Sequence, residues 1–222
     1  MSVQVQRYQE LVAELKEKHV QLVAVSKTKP VEDIQALYDL GQRDFGENYI
    51  QELVEKEALL PKDIRWHSIG HVQTNKVKYI APFVHLVHGV DSWKLLKEIN
   101  KQGDKYNRVI DCLLQVHIAQ EETKFGMDAN EVAEVLTKSP ELTHIRLRGM
   151  MGMASFTLNE EKVRNEFRYL KKLYDSCTAS IPDPAHWNTL SMGMSGDYTT
   201  AIEEGSNMVR VGSLLFGVRE VG

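Results

Sequence analysis

Short apolar segments rich in β-branched residues alternate along the chain with longer stretches whose apolar residues recur at helical spacing, and this alternation keeps its character throughout. A leading helix is expected near Val5–Lys18. Strands are expected at Gln21–Lys27, Arg43–Phe45, Arg65–Ile69, Val84–Val87, Val109–Val116, Thr143–Met150, His186–Ser191 and Met208–Val211, eight in all. Between them Val31, Ile34 and Leu37 mark a helix that Gly41 ends, while Ile50, Leu53 and Val54 mark the next. Asp91 is placed to cap a helix buried through Trp93, Leu96 and Ile99, with Gly103 past its end. Asp128 and Glu131 have the spacing of a capping box, and Asn159 precedes a long helix carrying Val163, Phe167, Leu170 and Leu173.

Serial strand-then-helix order favours parallel strands, which leaves a closed (β/α)8 TIM barrel and an open doubly wound sheet as the two α/β architectures. Eight units favour closure. A doubly wound dinucleotide fold would usually carry G-x-G-x-x-G after its first strand, where this chain reads LVAVSKTKP. No linker divides the sequence, so a single barrel domain over residues 1–222 with a leading helix is expected.

Charge and composition narrow the partners. Lys plus Arg number 27 against 31 Asp plus Glu, a formal charge of −4, which attracts neither nucleic acid nor an anionic membrane by its net field. Hydrophobic residues at 42% and charged residues at 26% fit a soluble globular chain. Cys112 and Cys177 form no C-x-x-C pair, so reduced thiols are expected. The first residues lack an export signal, and no run approaches the roughly 18 apolar residues of a membrane span, which points to a cytoplasmic protein. A closed barrel leaves no unpaired sheet edge, and a monomer is expected.

In either architecture ligands bind beyond the C-terminal strand ends. Lys27 closes the first predicted strand, and if Val23 and Val25 face the barrel interior, the two-residue period turns Lys27 inward too. Partial burial and the neighbouring Lys29 would disfavour its ammonium form and leave an amine able to attack a carbonyl carbon; the other reading is a solvent-facing lysine at a strand end. The segments SMGMSGDY and VRVGSLLFG follow the last two strands, where barrels often hold phosphate. Ser191, Gly212 and Ser213 are the expected donors there, with the backbone of Met192 and Gly193 beside them. Arg210, in an apolar strand, needs a partner: a ring nitrogen or carboxylate of a ligand, or a structural acid. Asn48 lies near the second strand end, to contact a ligand or cap the next helix. His67-x3-His71 and His85-x2-His88 approach metal-ligand spacing, but Gly70 interrupts the first pair and the second lies on a strand, so no metal site is expected. Met150, Met151, Met153, Met192 and Met194 read as packing residues.

Seven segments carry a resemblance: AVSKTKP (Ala24–Pro30), FGENYIQE (Phe45–Glu52), WHSIGHVQTNK (Trp66–Lys76), KFGM (Lys124–Met127), RGMMGM (Arg148–Met153), SMGMSGD (Ser191–Asp197) and VRVGSLLFG (Val209–Gly217). In this order, over essentially the whole chain, they closely resemble the pyridoxal phosphate homeostasis family. The resemblance implies a single barrel like the N-terminal domain of alanine racemase. It implies that Lys27 carries pyridoxal 5′-phosphate (PLP) as an internal aldimine, that Ser191, Gly212 and Ser213 bind the phosphate, that Arg210 faces the pyridine nitrogen, and that Asn48 lies near the cofactor. Family members commonly have Phe where Ser68 stands, Leu where Val72 stands and often Thr where Ser213 stands. Ser213 keeps the hydroxyl, while Ser68 is expected to alter the floor of the site.

A PLP enzyme usually holds a protonated ring nitrogen against a carboxylate, whereas a guanidinium only donates and favours an unprotonated nitrogen and a weaker electron sink. Racemases of this barrel type tolerate the arginine but add a proton-transfer residue with help from a β domain, and the chain ends at Gly222, soon after its eighth strand. A non-catalytic protein that holds PLP, limits its free aldehyde and passes it to PLP-dependent apoenzymes is therefore expected. Two alternatives stand beside it, a PLP-dependent amino-acid racemase or lyase and a Schiff-base aldolase acting on a sugar phosphate.

Overall fold

In a computed structural model, which describes residues 3–119, 125–178, 181 and 184–217, the strands close into a barrel in the order β1 to β8. The chain runs α1 (Val5–Glu17), β1 (Gln21–Val25), α2 (Val31–Asp39), β2 (Asp44–Glu47), α3 (Ile50–Leu59), β3 (Arg65–Ser68), α4 (Val77–Ile80) and β4 (Leu86–Val90). It continues through α5 (Trp93–Lys105), β5 (Ile110–Gln115), α6 (Ala129–Lys138), β6 (Ile145–Met151), α7 (Glu160–Thr178), β7 (Thr189–Ser191), α8 (Tyr198–Glu203), β8 (Met208–Val211) and α9 (Ser213–Phe216). Every neighbouring pair is parallel, and β8 returns to β1 with Val23 opposite Arg210 and Ala24 opposite Val211. This is the closed (β/α)8 barrel that the eight strand-and-helix units predict.

The two-residue strand period sorts side chains into two apolar layers. Outward residues such as Ala24, Phe45, Trp66, Val87, Cys112 and Val209 meet Leu11, Ile34, Leu37, Leu53, Leu96, Ile99 and Phe167 from the helices. Each large side chain buried there contributes about 1.5–3 kcal/mol, so this outer layer supplies most of the apolar stabilisation. A separate inner cluster holds only Val23, Ile69, Leu86, Leu113, Met151 and Met208, with Val25 and Met153 against it. The rest of the interior is polar.

Local signals account for most boundaries. Gly41, at φ +103°, ends α2 in a conformation that favours glycine, and Asp128 and Glu131 exchange both bonds of a capping box at 2.8 and 2.9 Å. The Asn159 side chain accepts the Lys162 N–H at the start of α7. Three expectations are corrected. The cap of α5 is Ser92, which accepts the Leu95 N–H at 3.3 Å, while Asp91 is paired with His71. Gly103 lies inside α5, where a Cβ would come within 2.6 Å of the His144 carbonyl, so close approach to β6 requires the glycine. The first strand stops at Val25, two residues short of Lys27.

The last helix is a single turn, and α1 covers the seam it leaves. Its Gln4 flank donates to the Leu215 carbonyl at 2.8 Å, Tyr8 donates to Gln42 at 3.3 Å, and Tyr198 of α8 donates to Glu14 at 3.1 Å. Both cysteines are buried, and burial pushes both thiols up, away from the reactive thiolate. No helix among the described residues is long and apolar enough to cross a membrane.

Candidate functional site

A cavity of about 890 Å³ opens at the C-terminal strand ends. Lys27 lies in the turn after β1, in line with the inward-facing Val23 and Val25, and reaches the cavity wall with Lys29 and Asn48. Thr28 in this turn has φ +64°, a backbone strain on the order of 1–3 kcal/mol for a β-branched residue, which persists only where surroundings hold it. Arg210, Gly212 and Ser213, from the adjoining strand β8 and the turn after it, also line the cavity, so five of the seven expected ligand residues share it.

Ser191 and Met192 do not. Both are fully buried; the Ser191 hydroxyl accepts from Arg210 Nη1 at 2.7 Å, and the Met192 N–H is taken by the Met208 carbonyl at 3.2 Å. The hydroxyl beside Gly212 belongs instead to Ser195, whose Oγ accepts the Gly212 N–H at 3.2 Å. Ser195, Gly196 and Ser213 thus make a corner of hydroxyls and small residues suited to an oxyanion. At Gly212 a Cβ would stand 3.1 Å from the Val25 carbonyl, a tight contact that a larger residue would make only if β1 gave way by a few tenths of an ångström. Ser195 was within reach of the sequence, since it sits in the same SMGMSGD segment.

Arg210 is 3% exposed and anchors the floor. It donates to the Ser191 carbonyl at 3.0 Å and, through Nη2, to the Gly152 carbonyl at 3.1 Å. Burial lowers its pKa to about 10, with Asp197 opposing, so it remains a cation at neutral pH. From it a chain of contacts crosses the barrel: Ser191 Oγ to His88 Nδ1 at 3.2 Å, His88 Nε2 to His67 Nδ1 at 2.9 Å, and His67 Nε2 to Asp44 Oδ1 at 3.0 Å. A guanidinium only donates and a carboxylate only accepts, so Arg210 donates to Ser191 at one end and His67 Nε2 donates to Asp44 at the other, while the tautomer of His88 sets the two contacts between them. Burial, with His67 and Arg210 nearby, pushes His88 far below the usual histidine range. At Asp44, burial acts upward, but the hydrogen bonds and charges of Arg65 and His67 prevail and hold the carboxyl well below the usual range.

Asp44, His67 and His85 also come together with ligand atoms within 4.8 Å of one another, a grouping that no sequence spacing announced. Arg65 already grips both Asp44 oxygens, at 2.8 and 2.5 Å. Ser68, expected at the floor, instead faces outward; its buried Oγ finds no partner among the described residues. Met153 and Met194 line the cavity, whereas Met150 and Met151 are packed away as expected. The rim adds Phe125, Phe156 and Leu158, the last two fully exposed, and His71, which stacks on Phe125 at 4.2 Å and bonds Asp91 at 2.8 Å. Lys124 lies outside the described residues.

The chain matches the alanine racemase N-terminal domain family over residues 4–220. It is 39% identical over 207 residues to the pyridoxal phosphate homeostasis protein of Pasteurella multocida, covering 92% of this chain and 88% of that one. It is 41% identical over 204 residues to the protein of the same name from Aquifex aeolicus, with 90% and 87% covered. Among solved structures, PipY of Synechococcus elongatus without PLP superposes with a TM-score of 0.90 at 33% identity, covering 96% and 99% of the two chains. PipY with PLP bound superposes at 0.87 and 32% identity. Alanine racemase of Bartonella henselae shares the fold at a TM-score of 0.73 and 18% identity, this chain spanning 60% of it. The chain belongs to the alanine racemase N-terminal domain family and, within it, to the pyridoxal phosphate homeostasis proteins.

Proposed function

We propose that this protein holds PLP reversibly through Lys27, limits the free aldehyde and passes it to PLP-dependent apoenzymes, with no turnover of its own. One observation carries the reading: an amine, a buried guanidinium and a corner of hydroxyls and glycines converge on a single cavity. PLP supplies an aldehyde, a phosphate and a ring that draws electrons when its nitrogen is protonated. Each has a counterpart here. Lys27 in its neutral form is the nucleophile for the aldehyde, Ser195, Gly196, Gly212 and Ser213 suit the phosphate, and Asn48 sits close by on the cavity wall.

Arg210 favours holding over turnover without excluding turnover. Against a ring nitrogen it would donate a hydrogen bond and oppose protonation there, which would weaken electron withdrawal. Ser191 acts through Arg210 by fixing the guanidinium. Absorption titration with PLP, borohydride reduction and peptide mass spectrometry test the reading. Stoichiometric modification of Lys27, absent from a folded Lys27→Ala variant, is expected; scattered surface labels or no adduct would overturn it and bring back a sugar-phosphate substrate.

A second reading, an amino-acid racemase or lyase, draws on His71, which Asp91 orients at the cavity wall as a carboxylate orients a general base. Deuterium exchange at the α carbon of an amino acid added to the PLP-loaded protein would favour it.

A further inference from the structure

Behind the Lys27 turn, on the side away from the cavity, lies a set of ionisable groups that PLP binding leaves unused. Glu47 alternates with Phe45 onto the outer face of β2, and Lys56 of α3, 5% exposed, reaches it there. Lys56 Nζ donates to the Ser26 carbonyl at 2.7 Å, to Glu47 Oε1 at 2.8 Å and to Glu52 Oε1 at 2.7 Å. The Ser26 hydroxyl donates to Glu47 Oε1 at 2.6 Å, and Glu52 Oε1 accepts the Thr28 N–H at 2.5 Å.

Ser26 and Thr28 are the residues on either side of Lys27. Ser26 is tied to Lys56 and Glu47 and Thr28 to Glu52, three side chains joined to one another through Lys56, and Thr28 is the strained residue at φ +64°. A turn that would otherwise relax is thus held from both flanks. Charge is the smaller part of the effect, because the Lys56 ammonium is set against two carboxyl groups. One of them is only partly ionised at neutral pH: burial, against the pull of Lys56, raises Glu47 to about 7, and its Oε2 finds no partner among the described residues.

We propose that Lys56, Glu47 and Glu52 are positioning residues for Lys27, locking the Ser26–Thr28 turn so that the amine meets an aldehyde in the cavity at bonding geometry. The bond formed is from the Lys27 nitrogen to the aldehyde carbon; the carbonyl oxygen leaves as water with the two amine protons. The inference rests on Lys27 being the point of attachment. It also gives the two glutamates of FGENYIQE a role distinct from that of Asn48 between them, which lines the cavity.

The test compares PLP with pyridoxine 5′-phosphate, which keeps the ring and phosphate but has an alcohol in place of the aldehyde. Lys56→Met and Glu52→Met should bind pyridoxine 5′-phosphate within about twofold of wild type while their apparent affinity for PLP, read from the absorption of the bound aldehyde, falls about tenfold. Glu52→Met removes the acceptor of the Thr28 N–H at a partly exposed site and keeps the test open should Lys56→Met not fold, while Glu52→Gln, which retains an acceptor oxygen, should stay near wild type. Unchanged PLP affinity in Glu52→Met, or equal loss of both ligands, would overturn the positioning role, since general loosening weakens both. If borohydride places the wild-type adduct on a lysine other than Lys27, the attachment reading fails, and the inference with it.

Discussion

Two regions of the same barrel interior differ in how their polar groups are satisfied. From Asp44 to Arg210, five buried side chains bond one another in sequence, between a carboxylate at one end and a guanidinium at the other. Above them, Lys27, Ser195 and Ser213 line an open cavity whose rim carries fully exposed Phe156 and Leu158. In the lower region, removing one group strands its neighbours in low dielectric. In the upper region, groups face a space that a ligand can enter, and their loss costs binding rather than folding.

The largest effect that would break this contrast is at the junction. Arg210→Leu leaves the Ser191 hydroxyl and the Gly152 carbonyl short of a donor, and should lower stability in urea unfolding by about 3 kcal/mol. An unchanged midpoint would show that the lower region is not interdependent.

A smaller effect is expected from pH. Burial pushes His88 far below the ordinary histidine value, so the unfolded chain binds a proton that the folded one refuses. A lowered folded-state pKa means that this part of the stability is complete above about 6.5 and falls as pH drops below it. Glu47, raised to about 7, contributes the opposite slope, so the measurement is the stability difference between wild type and His88→Asn in denaturation series at stepped pH, which should shrink as pH falls. A difference that does not change with pH would contradict a neutral buried His88. At the rim the expected change is least: Phe156→Ser should alter stability by no more than about 0.5 kcal/mol, and a larger loss in thermal unfolding would mean the rim is packed against something.

Much of the upper region was legible from sequence. Strand periodicity placed eight strands and offered an inward Lys27 as one of two readings, and Lys27 and the small residues after β7 and β8 line the cavity. The lower region was not legible, because its bonds join residues far apart in the chain. His88 and Ser191 stand 103 positions from each other, so Ser191 read as a phosphate donor when its hydroxyl is taken by Arg210 and His88. Asp91 likewise read as a helix cap because it adjoins Ser92, and its actual partner, His71, comes from the loop after the preceding strand. Local grammar finds elements and their caps; a pair bond across a barrel becomes visible only once the barrel is closed.

The seam between β8 and β1 has a kinetic consequence. Helix α1 precedes the strands and finds Tyr198 only after β7, and Leu215 only after β8, has emerged, so its docking joins residues far apart in the chain and is among the last contacts to form. Until then the apolar face of Tyr8, Leu11 and Leu15 has no completed surface to cover. A nascent chain with β1 to β7 in place remains an open sheet with two unpaired edges, so the interval before α1 docks is when this protein is most exposed to aggregation and to chaperones.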